Sequence, residues 1–195
     1  MASTIDICNM ALAHLGEIPN VSSIDPPEGS SHAEKCARFY PVARDVTLEM
    51  RNWPFAMKRV QLALQENDLP GPWLFKYQLP SDCLRAVSVL PAGAWDEAKQ
   101  GENFTTEGNA LYTNAHQATL RYLHPVTDTT KFLPSFAVSV SWLLASYLAG
   151  AITRDTKVKQ WCYEMFREEL AISAQSAANA SQTTMDHTPG WISDR

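Results

Sequence analysis

The stretch "FLPSFAVSVSWLLASYLAGAIT", Phe132 to Thr153, contains no charged residue. A bilayer span needs about 20 mostly apolar residues, so length alone fits either a membrane or a protein interior. Content separates the two. Pro134 stands near the start, Ser135, Ser139, Ser141 and Ser146 interrupt the apolar run, and ordinary soluble sequence flanks both ends. A helix surrounded by protein on nearly every side explains these residues better than one facing lipid, and no membrane partner is expected. A covered central helix needs other helices to cover it.

The two ends of the chain supply them. Ser3 and Asp6 have capping-box spacing, with Asp in place of Glu or Gln, and Ile5, Cys8, Leu12 and Leu15 follow at steps of three and four. Gly16 is a stop signal and Pro19 prevents continuation. After the turn-rich "EIPNVSSIDPPEGS", Ser31 and Glu34 form a second capping box, and Cys36, Phe39, Ala43, Val46, Met50 and Trp53 make one apolar face. Pro41 lacks an N–H and clashes with the preceding turn, so a kink or break is expected near Tyr40. Pro134 suits a first-turn position for the uncharged helix. Asp155 then caps a last long helix, in which Val158, Cys162, Phe166 and Leu170 recur at steps of four.

Between these helices the periodicity changes to alternation, at Val60, Leu62 and Leu64, in "WLFKY", in "LRAVSVL" and in "ATLRYLH", with "ENDLPGP" and "EGNA" as turns. About five antiparallel strands are expected. The fold class is therefore α+β, a helical bundle formed by N- and C-terminal helices with an inserted small antiparallel β subdomain. The expected divisions are residues 1–56, 57–125 and 126–183, followed by an extended tail over 184–195. No repeat of 20 to 50 residues points to a solenoid or propeller.

A chain of 195 residues with 45% apolar content buries a core without cross-links. Cys8, Cys36, Cys83 and Cys162 are dispersed in apolar segments and read as reduced core residues. The N-terminal residues lack a basic region and a long apolar stretch, which indicates folding in a cytoplasm. Sixteen basic against 21 acidic residues give a net charge of −5, without the local basic cluster that gripping nucleic acid requires.

Catalytic constellations are sparse. His14, His32, His116, His124 and His187 never take a zinc-ligand spacing, and no phosphate-loop pattern occurs. No cofactor or metal is expected. Cys83 is the best nominal nucleophile, but Asp82 beside it opposes thiolate formation. "LPSDCLR" reads instead as a strand ending at Pro80, a turn built on the side chains of Ser81 and Asp82, and a new strand from Cys83 or Leu84. Asp96, Glu97, Glu102 and Glu107 surround an expected hairpin beside Trp95, and a glycosidase needs only two suitably spaced carboxylates. A virion-associated glycan or peptidoglycan hydrolase is thus the alternative function. The polar tail ends in "MDHTPGWISDR", where Trp191 and Ile192 read either as a frayed terminus or as a hook that orders on a partner.

In order along the chain, "ICNMALAHLGEIPNVSSID", "FYPVARDVTLEMRNWPFAMKR", "YQLPSDCLRAVSVL" and "LYTNAHQATLRYLHPV" leading into "FLPSFAVSVSWLLASYLA" span most of residues 5 to 150. This combination resembles the tail tubular protein A family, head-to-tail adaptors of short-tailed, podovirus-type bacteriophages. The resemblance implies a homo-oligomeric ring of twelve copies in the virion, assembled from protein made in the host bacterial cytoplasm. Its neighbours would be the portal protein and a tail nozzle similar to tail tubular protein B. It further implies that DNA passes through the ring without specific binding, and that the chain has no chemistry of its own. A net negative chain suits passage of a polyanion. Ser135, Ser139, Ala145 and Ala149 fit close packing, within a subunit or between subunits. Trp191 and Ile192 are the candidate portal contact.

Overall fold

The computed structural model describes residues 2–67, 71–94 and 100–180, and the protein is α+β. Its described helices are α1 (Thr4–His14), α2 (Ser31–Met50), α3 (Pro134–Ile152) and α4 (Thr156–Ala180). Helix α3 is the uncharged one, and α1, α2 and α4 all pack on it. It is long and apolar enough to cross a membrane, yet 61% of its most apolar window is buried inside the protein. Its serines suit this position because they return their hydroxyls to the preceding turn. Ser139 donates to the Ser135 carbonyl at 2.9 Å, Ser141 to Val138 at 2.8 Å and Ser146 to Leu143 at 2.7 Å.

Helix α1 begins with the expected capping box: Asp6 N–H donates to Ser3 Oγ, and Ser3 N–H donates back to Asp6 Oδ2. It ends in a Schellman motif, with Glu17 N–H bonded to the Leu12 carbonyl and Gly16 N–H to Ala13. Gly16 has φ +76°, a left-handed conformation that only glycine adopts without strain. In α2 the cap lies one residue earlier than expected. Ser30, not Ser31, accepts the Ala33 N–H at 3.1 Å, and Ser31 bonds to Lys35 instead.

Pro41 does not break α2, which runs from Ser31 to Met50. The proline is exposed, while Cys36, Tyr40, Ala43, Thr47 and Leu48 anchor the helix on both sides of it. Tertiary burial thus outweighs the missing N–H. Met50 is 45% exposed, contrary to its place in the apolar pattern. The chain leaves the helix in extended conformation at Arg51, so Trp53 reaches the core through that turn rather than through helical register. Helix α4 is capped by Asp155, whose Oδ1 accepts the Lys157 N–H at 2.8 Å, and its stripe of Cys162 and Phe166 is fully buried.

The described strands number seven rather than about five, all between α2 and α3: β1 (Met57–Gln61), β2 (Leu64–Gln65), β3 (Phe75–Gln78), β4 (Arg85–Leu90), β5 (Phe104–Glu107), β6 (Ala110–Thr113) and β7 (Thr119–Leu123). They form two antiparallel sheets, ordered β1-β7-β4 and β2-β3-β6-β5. The run Val60, Leu62, Leu64 looks like one strand in sequence but divides between the sheets. Only Leu62 turns inward, where it joins Tyr77, Val89, Leu111 and Leu120 in a core drawn from both sheets. A bulge between Ala86 and Ser88 sets Val87 against the helical core while Val89 faces the sheet core.

Candidate functional site at the joints of the fold

The strand region enters and leaves the helical layer at one place. Met57 of β1 pairs with Leu123 of β7, and His124 N–H bonds to the Ala56 carbonyl at 3.0 Å. Aromatic rings seal this joint. Trp53 meets Phe136 edge-on at 4.9 Å between centroids, Phe55 meets Phe136 at 5.2 Å, and Phe132 meets Phe136 at 4.7 Å. The buried Trp53 indole N–H is satisfied by the Thr47 carbonyl at 2.9 Å.

Asp82 occupies a second joint. Its Oδ2 lies 2.8 Å from Lys58 Nζ on β1, and its Oδ1 accepts the Tyr122 hydroxyl of β7 at 2.9 Å. The Lys58 hydrogen bond, aided by Tyr122, holds the Asp82 carboxyl below the usual range. Burial and then Asp82 push the Tyr122 hydroxyl up to about 12. Burial first, and the Asp82 charge second, raise the neighbouring Cys83 thiol, opposite to what a nucleophile needs. The expectation of a strand entrance holds in outline, although β3 ends at Gln78 rather than Pro80 and β4 begins at Arg85 rather than Cys83 or Leu84, and the turn itself is built differently. The turn closes through Cys83 N–H to the Pro80 carbonyl at 3.0 Å, while the Asp82 carboxylate reaches across the sheet to two other strands.

Other singled-out residues fall in different places. Ser139, Ala145 and Ala149 are fully buried within the single chain, so the close packing they permit is that of α3 against its own neighbours; Ser135 is half-buried. Glu102 and Glu107 are exposed, whereas Asp96 and Glu97 lie outside the described residues, as do Trp191 and Ile192. Among the described residues no group of three or more His, Cys, Asp or Glu side chains is arranged to hold a metal.

Three tertiary arrangements have no signal in the sequence. His14 stacks on Trp142 at 3.5 Å and 8°, and its Nε2 lies 3.0 Å from Ser141 Oγ across 127 residues of sequence; Trp161 of α4 meets Trp142 edge-on. Burial lowers the His14 pKa. Cys8 on α1 and Cys36 on α2 are both fully buried, and the neighbouring Cys36 first, with burial second, raises the Cys8 thiol. Lastly, a cleft opens between the first turn of α1, the loop at 22–25 and α2. The capping pattern marked that end of α1, but nothing in the sequence placed the loop beside it. No protein-family model matches the chain, and no curated protein matches it.

Proposed function

We propose that this chain is a structural virion protein, a head-to-tail adaptor that packs into a ring between the portal and the tail nozzle of a short-tailed bacteriophage. The observation carrying this reading is that three of the stretches behind the resemblance each close a joint of the scaffold. "NMALAHLG" forms the end of α1, where the Asn9 amide bonds to both backbone groups of Val21 at 2.9 and 3.0 Å. "WPFA" provides the aromatic seal between helices and strands. "LPSDCLR" supplies Asp82, which ties β1 and β7 to the approach of β4. Residues devoted to holding a rigid frame suit a part whose work is assembly. DNA would pass through the ring without specific contact, consistent with the net charge of −5.

Sedimentation and negative-stain imaging of the purified chain, alone and with the portal protein encoded by the same genome, test the reading. Rings stacked on the portal are expected, and a chain that stays monomeric beside a competent portal would refute it. Truncation after Thr183 is expected to weaken portal binding at least tenfold without altering the helical circular dichroism. Unchanged binding would remove Trp191 and Ile192 from the interface.

A further inference from the structure

We draw no further inference here: the strongest candidate, the cleft between the first turn of α1, the loop at 22–25 and α2, carries none, because the Tyr40 hydroxyl is buried beside Thr4 rather than open to it and nothing in the structure shows what covers it.

Discussion

In the helical part, apolar faces of α1, α2 and α4 converge on one uncharged helix, and the core is built almost wholly from side-chain volume. The strand part instead encloses a smaller cluster, closed at its margin by polar cross-links such as Asp82 with Lys58 and Tyr122. The contrast follows from geometry. A helix surrounded on several sides accepts any well-packed apolar surface, whereas short strands in two small sheets leave edges that only directional bonds can fix. The two parts should therefore fail in different ways, the first to lost volume and the second to lost charge or register.

The strongest perturbation is expected at the aromatic joint they share. Phe136→Ala removes a fully buried ring that touches Trp53, Phe55 and Phe132, and should cost about 3–5 kcal/mol. Denaturant unfolding followed by tryptophan fluorescence and by far-ultraviolet circular dichroism should show both parts lost together. Separate transitions would show that the joint does not couple them. Leu111→Ala, fully buried in the sheet core, should cost about 2–4 kcal/mol. A loss below about 1 kcal/mol would show that Leu111 is not held in a filled core.

Asp82→Ala tests the polar closure, with an expected cost of about 1–2 kcal/mol, mostly from the stranded Tyr122 hydroxyl. The folded-state pKa of Asp82 is depressed, so its contribution is present above the ordinary carboxylate pKa and fades as pH falls through the folded value. Wild-type stability should therefore decline below about pH 4, and the variant should decline less. An equal decline would place the acid sensitivity elsewhere. In the helical part, Gly16→Ala should cost about 1 kcal/mol through its positive φ, since open space surrounds the position.

The smallest expected effect is at His14. Its folded pKa is lowered by burial, so the neutral ring is favoured, and stability should fall as pH drops below about 6.5. His14→Phe should remove that slope while keeping the stack on Trp142. Thermal melts at pH 7.5 and 5.5 decide the point, and a slope retained in the variant would exonerate His14.

Most local signals in the sequence translated well where one short segment held the information, the exception being the start of α2, which is capped by Ser30 rather than Ser31. The Ser3–Asp6 box, the Gly16 stop, the Asp155 cap and the stripe at Cys162 and Phe166 each depend on residues within a turn or two. Signals failed where a distant partner intervened. Pro41 predicts a kink or a break, and of these the break does not occur, because burial on either side carries α2 through it; Met50 has the right spacing, but the chain departs before it can pack. The alternation across Val60, Leu62 and Leu64 cannot reveal that the strand bends from one sheet to another. At the candidate sites, the acidity next to Cys83 was legible from its neighbour, and the Lys58 and Tyr122 partners of Asp82 were not.

By itself, the sequence determined where the long helices lie and that strands fill the segment between α2 and α3, though not their number, that one helix is covered by the others, and that Asp82-Cys83 introduces a strand. Those conclusions rest on hydrophobic periodicity and on capping or turn chemistry, which act over a few residues. Only the tertiary structure decided the division into two sheets, the closure of Asp82 across three strand segments, the His14–Trp142 stack and the cleft at Tyr40. Each of these joins residues far apart in the chain. Their proximity is set by how whole elements pack, which no local pattern encodes.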